Sequence, residues 1–284
     1  MNNQVTKCII IVGGYGTRFL PITKSISKTM LPIIDKPSIQ YIVEEAIASG
    51  IKEIVIIVNR KDSIITTYFE KNKKLEELVK DTPKIKYLEQ INDLVKGIRI
   101  SYVFEETSTG SASAVLLARK YIKHEPFAVL FGDDLYMSDT PALKQLIDIH
   151  DKTNGNVLGV KEVLEQEIPS YGIVAHDNYR VSKLVEKPTI KEAPSNLAVV
   201  GRYILNYTIF DIIDNLAPGI NNEYQLTDAI IESMKTESLY ACPIVGQSFD
   251  TGSKAGYVKA NIAFALTRDD LKSEIKSYID NLTK

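Results

Sequence analysis

The 284-residue sequence has few cysteines, which limits the cross-links and metal sites that it can build. Cys8 and Cys242 are its two cysteines, and they stand far apart in the chain. Two scattered cysteines support neither a disulfide framework nor a zinc site. We therefore expect two buried, unpaired thiols in a protein of the reducing cytoplasm.

The sequence also lacks a strong net charge and a long hydrophobic run. Its 34 basic and 36 acidic residues leave a formal charge of −2, so we expect no general attraction to nucleic acid or to an anionic membrane. The opening residues MNNQVTK carry no apolar signal segment, and no apolar run approaches the ~18 residues that span a bilayer. Any affinity for phosphate must therefore come from a local site.

Short apolar runs alternate with amphipathic stretches up to about residue 153. The runs KEIVIIVN and PFAVLFGDD are continuous rather than alternating, which is typical of parallel strands buried on both faces. After residue 153 strand-like pieces follow one another directly, which predicts a small antiparallel elaboration, and residues 254–284 have a helical pattern. With no linker or repeat, the sequence predicts a single α/β domain over residues 1–284, with a mainly parallel sheet and an α-helical C-terminus.

The first strand runs into a glycine-rich turn, in the stretch CIIIVGGYGTRFLP over Cys8–Pro21. The dinucleotide fingerprint G-x-G-x-x-G is incomplete there, because Phe19 stands in place of its last glycine. The lysines that follow do not have the spacing of a P-loop. Glycines nevertheless let backbone N–H groups approach phosphate oxygens, and the planar guanidinium of Arg18 suits a pyrophosphate because it pairs two oxygens at once.

Six motifs give the chain a resemblance to a known family. They are GGYGTRFLPITKSISKTMLP, FAVLFGDDL, VEKP, GRYIL, NNEYQLTDAI and FDTGSKAGYVKA, in family order and at family spacing. The chain resembles the bacterial UTP–glucose-1-phosphate uridylyltransferases, which are sugar-nucleotide pyrophosphorylases. The resemblance covers nearly the whole chain and is weakest over residues 71–97. It implies a sheet of the nucleotide-diphospho-sugar transferase (Rossmann-like) type.

The resemblance implies an enzyme that makes UDP-glucose and pyrophosphate from UTP and glucose 1-phosphate, with Mg²⁺ as cofactor. The attacking sugar phosphate is already an anion, so the reaction needs no general base. It needs cations that bring two anionic groups together and neutralise charge on the α-phosphate. Relatives commonly pair, and the terminal helix carries an apolar stripe, so we also expect a homo-oligomer, either a dimer or a tetramer. The stripe consists of Leu271, Ile275, Ile279 and Leu282.

The resemblance also implies roles for individual residues at the nucleotide and the metal. The implied nucleotide-binding glycines and threonine are Gly13, Gly14, Gly16, Thr17 and Gly110. Arg18 is expected to hold the leaving pyrophosphate, and Lys28 to lie near the α- or β-phosphate. Asp133 and Asp250 are the implied Mg²⁺ ligands. Asp134 is the alternative to Asp133, which is preferred because it matches the single aspartate of the wider superfamily.

A second set of implied residues binds the sugar. Its members are Gly172, Glu186, Lys187, Gly201 and Glu223. Glu186 is expected on the glucose hydroxyls and Lys187 on the 1-phosphate, so that Lys187 joins Arg18 and Lys28 as a catalytic cation. Because Pro188 follows Lys187, we expect an extended backbone at Lys187, which would fix the aim of its side chain.

The chain departs from the family pattern mainly in one segment; the other departures are Val12-Gly13 for a usual Ala-Ala, Thr29 for a usual glutamate, and Asn221-Asn222 where the family prefers glycines. The base-reading segment Y-V-R-Q-x-x-x-x-G-L-[GA]-H-A is here YVFEETSTGSASA, so Phe104, Glu105 and Ser113 replace an arginine, a glutamine and a histidine. An amide complements the adjacent N3–H donor and O4 acceptor of uracil. An ionised carboxylate at position 105 only accepts hydrogen bonds, and therefore better suits guanine or the amino group of cytosine.

Three interpretations of this departure stay open. The enzyme uses UTP, with Glu105 turned away from the base or protonated. Alternatively it prefers GTP or CTP, or it is a non-catalytic regulatory paralogue. The presence of all the expected catalytic and metal-binding residues argues against the last interpretation.

Overall fold

The computed structural model describes residues 4–59, 63–219 and 222–282, and within these ranges its centre is a nine-stranded sheet. In chain order the strands are β1 (Lys7–Ile11), β2 (Pro32–Ile33), β3 (Lys36–Pro37), β4 (Glu53–Asn59), β5 (Arg99–Glu105), β6 (Phe127–Phe131), β7 (Asp134–Met137), β8 (Asn156–Glu162), β9 (Gly172–Asp177), β10 (Arg180–Glu186), β11 (Leu197–Leu205), β12 (Leu239–Pro243) and β13 (Gln247–Asp250). The main sheet has the order β5-β4-β1-β6-β11-β8-β12-β10-β9. β7 pairs with β13, and β2 with β3, outside it.

Helices cover both faces of the main sheet. They are α1 (Ser38–Ala48), α2 (Ser63–Tyr68), α3 (Lys73–Val79), α4 (Ile85–Leu94), α5 (Ser111–Leu116), α6 (Ala142–Thr153), α7 (Ile209–Asp214), α8 (Leu226–Ser233), α9 (Lys254–Thr267) and α10 (Lys272–Leu282). α1, α6 and α9 contribute to one core cluster, and α5, α7 and α8 to the other.

β1 shows why the apolar runs of the sequence are continuous. Cys8 and Ile10 pack into the core cluster of α1, α6 and α9, whereas Ile9 packs into the opposite cluster. Successive side chains of a strand point to opposite faces, so a strand covered on both faces needs apolar residues at every position. Cys8 and Cys242 are both buried and unpaired, as predicted.

The predicted α/β class is confirmed, and the first half of the sheet is parallel. β1 pairs in parallel with β4 and β6, and β4 pairs in parallel with β5. The antiparallel part is more extensive than the sequence predicts, because β11 lies antiparallel between β6 and β8 in the middle of the sheet. The parallel half brings the carboxyl ends of β1, β4, β5 and β6 to one edge, which is where open α/β sheets bind ligands.

The C-terminal segment is helical, as predicted, over α9 and α10, which pack against each other. Residues 283–284 lie outside the described part of the chain. Three residues of the apolar stripe are half-buried, namely Leu271, Ile275 and Ile279, and Leu282 is exposed. The homo-oligomer stays a prediction. Within the described ranges no helix is both long and apolar enough to cross a membrane.

Candidate active site

The glycine-rich turn follows β1 at the ligand-binding edge of the sheet. Gly14 (φ 109°) and Gly16 (φ 58°) lie in the left-handed region, which favours glycine. A Cβ at Gly16 would also lie 3.0 Å from the side chain of Thr23, whose hydroxyl donates to the Gly16 carbonyl oxygen at 2.7 Å. The turn therefore needs glycine at both positions, and Thr17 and Arg18 lie exposed beside it.

A cavity of about 220 Å³ opens beside this turn. It brings together residues predicted for the site that are distant in sequence, namely Gly13, Gly14, Lys28, Glu105, Gly110, Asp133 and Glu223. In the described chain a larger groove of about 870 Å³, which includes Gln145 and Val245, is lined by none of the predicted site residues. The chemistry of its lining, rather than its volume, identifies the smaller cavity as the candidate site.

Lys28 and Asp133 line one part of the cavity, and Asp250 lies beside them outside its lining. Lys28 forms an ion pair with Asp133, whose carbonyl oxygen accepts hydrogen bonds from the N–H and the hydroxyl of Thr251, at 2.8 Å each. The pairing of β13 with β7 brings Asp250 to the same place. A Cβ at Gly252 would lie 2.6 Å from Asp133 Oδ2 and 2.9 Å from Asp250 Oδ1. The two carboxylates therefore approach each other across this glycine.

The charges of Arg18 and Asp250 both act on the phenol of Tyr171. Burial is the main cause that raises the pKa of its phenol; the charges of Asp250 and Asp134 add to the rise, and the charge of Arg18 opposes it. Arg18 and the expected metal ligand Asp250 therefore lie within electrostatic range of the same hydroxyl group. Arg18 itself lies outside the cavity lining.

The donor set formed by Asp133 and Asp250 suits Mg²⁺. This ion usually binds proteins through one or two carboxylates and completes its shell with water and substrate phosphates. Within residues 4–59, 63–219 and 222–282, no group of three or more His, Cys, Asp or Glu side chains is placed to hold a metal ion. Two converging carboxylates therefore fit a cation whose other ligands are phosphate oxygens and water.

Asp134 points away from this carboxylate pair. Its carboxyl group accepts a hydrogen bond from the N–H of Gly201 at 2.8 Å. Burial raises the pKa of Asp134, the charge of Asp133 adds to the rise, and Arg202 opposes it. Arg202 is fully buried and forms a two-pronged ion pair with Glu45, with both hydrogen bonds at 2.8 Å. In this structure Asp133 faces the cavity and Asp134 faces the interior of the sheet.

The predicted sugar-binding residues Glu186 and Lys187 lie at the end of β10. Glu186 is opposite Gly172, where a Cβ would lie 3.0 Å from Glu186 Oε2. The extended backbone predicted for Lys187 is wrong: its φ is 44°, because its N–H donates to the carbonyl of Tyr171 at 3.0 Å and the chain turns there. The ammonium of Lys187 lies 3.7 Å from Glu186 Oε1. Burial raises the pKa of Asp228, and the charge of Lys187 opposes that rise.

Gly201 and Glu223 are held in different ways. A Cβ at Gly201 would lie 2.6 Å from the Cβ of Phe131 and 2.7 Å from Asp134 Oδ2, so close packing requires this glycine. Glu223 lines the cavity and accepts a hydrogen bond from the amide of Gln225 at 2.6 Å. The part that either residue plays in sugar binding stays a prediction.

Glu105 ends β5 beside Asn59 and is only 4% exposed. Its Oε2 lies 2.8 Å from the position of a Cβ at Gly13, so the carboxyl group packs against the glycine turn. The side chain of Ser108 hydrogen-bonds to this carboxyl group, whereas Oε1 has no hydrogen-bond partner among the described residues. Burial raises the pKa of Glu105, and the bond from Ser108 opposes the rise. Glu105 faces the cavity, whereas Phe104 is 48% exposed and lies outside its lining.

Comparison with known proteins gives the same family as the motifs. The family model described as "Nucleotidyl transferase" matches residues 7–266. This chain belongs to that family. The UTP–glucose-1-phosphate uridylyltransferase YngB of Bacillus subtilis is 41% identical to this chain, in an alignment that covers 100% of this chain and 97% of that protein. UTP–glucose-1-phosphate uridylyltransferase 1 of Staphylococcus saprophyticus is 42% identical over 99% of this chain and 100% of that protein.

Solved structures of UDP-glucose pyrophosphorylases have the fold of this nucleotidyl transferase. An apo structure is 38% identical, with a TM-score of 0.89 over 93% of this chain and 100% of that chain. A structure complexed with UDP-glucose is also 38% identical, with a TM-score of 0.85 over the same shares. A UTP-bound structure from Acinetobacter baumannii is 34% identical, with a TM-score of 0.89 over 97% of this chain and 99% of that chain. The resemblance and the predicted fold type are thereby confirmed.

Sequence reasoning missed the ion pair that supports the site of this nucleotidyl transferase. Arg202 donates a hydrogen bond to the carbonyl oxygen of Asp134 at 2.7 Å, and Glu45 neutralises it. The signal was present, since Arg202 interrupts the apolar run LAVVGRYIL and Glu45 belongs to the apolar helix α1. A charged residue within a buried element requires a partner of opposite charge.

Proposed function

We propose that this nucleotidyl transferase makes UDP-glucose and pyrophosphate from UTP and glucose 1-phosphate. The observation that carries the proposal is the convergence of Lys28, Asp133 and Asp250 beside the glycine turn. This group supplies a cation and two ligands suited to Mg²⁺ where a triphosphate would enter from the turn. The activity named for the relatives agrees with this proposal.

In the proposed reaction, a phosphate oxygen of glucose 1-phosphate attacks the α-phosphorus of UTP. A new P–O bond forms at the α-phosphorus, and the bond to the oxygen that bridges to the β-phosphate breaks. Pyrophosphate leaves with the electron pair of that bond. No proton is transferred, so the protein has to position the substrates and balance their charge.

The side chains divide this work between them. The backbone of the glycine turn and Arg18 bind the leaving pyrophosphate, Lys28 neutralises the α-phosphate, and Lys187 orients the attacking phosphate. Asp133 and Asp250 would hold Mg²⁺, whose positive charge would reduce the repulsion between the two substrates. The remaining sugar contacts come from Gly172, Glu186, Gly201 and Glu223.

A second candidate function is nucleotidyl transfer from GTP or CTP. The observation that favours it is the carboxyl group of Glu105 at the cavity wall. When this group is ionised it only accepts hydrogen bonds, and uracil presents an acceptor beside its donor.

Turnover with glucose 1-phosphate, Mg²⁺ and each of UTP, GTP and CTP separates the two candidates. We expect UDP-glucose and pyrophosphate in equal amounts from UTP, measured by chromatography and by pyrophosphate release. The control without glucose 1-phosphate reports simple hydrolysis of the triphosphate. Efficient use of GTP or CTP without use of UTP would contradict the proposal.

We also propose that the enzyme acts in carbohydrate metabolism in the cytoplasm, as a homo-oligomer. The two unpaired buried thiols support a reducing compartment. Exposed Val258 and Ile262 on α9, together with the stripe on α10, provide apolar surface for association. Light scattering of the full chain and of a chain ending at Arg268 measures the assembly, and a monomeric full chain would contradict it.

A further inference from the structure

Glu105 combines three features that rarely occur together at a ligand cavity. It is 4% exposed, it lines the cavity, and one of its oxygens has no hydrogen-bond partner in the part of the chain that the structure describes. Its hydrogen bond comes from the neutral side chain of Ser108. A buried ionised carboxylate normally has a cation or several donors, because losing its hydration is costly.

The charged groups that share the cavity do not supply such a partner. Lys28 is engaged by Asp133, and Glu223 accepts its hydrogen bond from the neutral amide of Gln225. Asp133 and Glu223 are themselves acids, so neither can balance the charge of an ionised Glu105. Glu106 follows Glu105 in the chain and adds a further acidic group.

The remaining elements packed against Glu105 are uncharged. The glycine turn contributes Gly13, the end of β4 contributes Asn59, and the cavity wall contributes Gly110 and Ser111. In the first turn of α5, the N–H of Ala112 already donates to the carbonyl oxygen of Tyr224 at 2.9 Å. Among the described residues, the surroundings of Glu105 therefore favour the neutral acid.

The charges that line the cavity assign Glu105 to the base rather than to the phosphates. Lys28 and Asp133 mark the end that suits phosphate and Mg²⁺. An ionised carboxyl group repels phosphate, so Glu105 is suited to the neutral parts of a nucleotide, and of these the uracil edge presents a donor directly beside an acceptor. A neutral carboxylic acid has an O–H donor beside a C=O acceptor, the same pair that a side-chain amide offers.

We propose that Glu105 recognises uracil as a neutral carboxylic acid, with its O–H donating to O4 and its C=O accepting from N3–H. Ser108 orients the acid. The proposal rests on the proposed use of UTP, and it makes nucleotide binding dependent on one proton. Binding of the uridine nucleotide is then strong below the pKa of Glu105 and weakens as pH rises through it.

The sign of the effect follows from the two states of the carboxyl group. Burial raises the pKa of Glu105 and the hydrogen bond from Ser108 opposes the rise; the acid is neutral below that pKa and ionised above it. Above its pKa in the free enzyme, the acid must take up a proton to bind uracil. The dissociation constant then rises about tenfold per pH unit, up to the pKa of the complex.

The experiment compares the wild type with Glu105→Gln, in which an amide of the same shape offers the donor and acceptor at every pH. Binding of UDP-glucose is measured between about pH 6 and pH 9 by calorimetry, in two buffers of different ionisation enthalpy. The diester phosphates of UDP-glucose do not titrate in this range, so the difference between the two proteins reports position 105. We expect weakening with pH and uptake of about one proton in the wild type, and neither in Glu105→Gln.

A second variant tests the same titration without changing Glu105. Ser108→Ala removes the hydrogen bond that favours the ionised form, so the pH at which binding weakens should rise. Parallel pH profiles for the wild type and Glu105→Gln, with no difference in proton uptake, would overturn this inference while leaving the use of UTP intact. Failure of both proteins to form UDP-glucose at any pH would instead overturn the proposed function.

Discussion

The two ends of the cavity differ in how their acidic side chains are balanced. At the phosphate end, Asp133 is paired with Lys28, and Asp250 accepts a hydrogen bond from the N–H of Gly252 at 2.9 Å. In the part of the cavity beside Gly13, which we call the base end, Glu105 is buried without an ion-pair partner among the described residues. The charged groups at the phosphate end thus suit charged ligands, whereas the unpaired carboxyl group at the base end suits a neutral ligand.

This difference follows the division of the sequence into motifs. The phosphate end keeps the residues to which the family pattern assigns charge, namely Arg18, Lys28, Asp133 and Asp250, since every nucleotide carries the same triphosphate. The base end departs from the pattern at Phe104, Glu105 and Ser113. The three departures are not equivalent, because Glu105 is the one of the three that lines the cavity.

The largest effect is expected at the phosphate end. Asp133→Asn and Asp250→Asn should each lower kcat by about 10³-fold, because each removes a charged metal ligand without removing core volume. Circular dichroism and thermal unfolding should be nearly unchanged, and raising the Mg²⁺ concentration should restore part of the activity. Asp81→Asn, on the exposed loop between α3 and α4, is the matched control. Normal turnover by the double variant would refute the assignment of the metal ligands.

A smaller effect is expected where the base end is fixed to the rest of the molecule. Gly110 has φ 119°, and a Cβ there would lie 2.3 Å from the carbonyl oxygen of Tyr224. Gly110→Ala should lower the free energy of unfolding by about 2–4 kcal/mol, because strain and a backbone clash add together. It should also weaken UTP binding more than it changes kcat.

The variant Gly97→Ala separates the energetic cost of backbone strain from the cost of a steric clash. Gly97 also has a left-handed φ, of 79°, but a Cβ there would meet nothing within 4 Å. Its cost should therefore be about 1 kcal/mol, measured by denaturant unfolding, with unchanged UTP binding. Equal losses in the two variants would show that the contact with Tyr224 does not fix the base end.

The parallel half of the fold could be predicted because each of its buried strands has a recognisable local sequence pattern. β1, β4 and β6 are continuous apolar runs, and their carboxyl ends must share one edge once they pair in parallel. The turn and Asp133 follow directly from that rule. The part of the cavity that these strand ends form could therefore be predicted from the sequence.

Other features could not be predicted because they depend on contacts between distant segments. β13 reaches β7 across more than a hundred residues, and this pairing helps to bring Asp250 to Asp133. Lys187 takes a left-handed conformation against the local preference set by Pro188, since its N–H bonds to Tyr171. The burial of Glu105 at the end of β5 likewise depends on the position of the glycine turn, which follows β1.

The smallest effect is expected from the two departures that do not face the cavity. Phe104 is 48% exposed, because successive side chains of β5 alternate between the two faces while Glu105 points inward. Ser113 lies on α5 outside the cavity lining. Phe104→Arg and Ser113→His, which restore the family residues, should each change kcat/KM for UTP by less than about threefold, as expected for substitutions without a contact to the ligand. The assay is steady-state turnover at several pH values, in the wild type and in Glu105→Gln. If Phe104→Arg abolished the pH dependence of the wild type, the base would be read from the outer face of β5, and if Ser113→His abolished it, from α5. Either result would contradict the contrast between the two ends of the cavity.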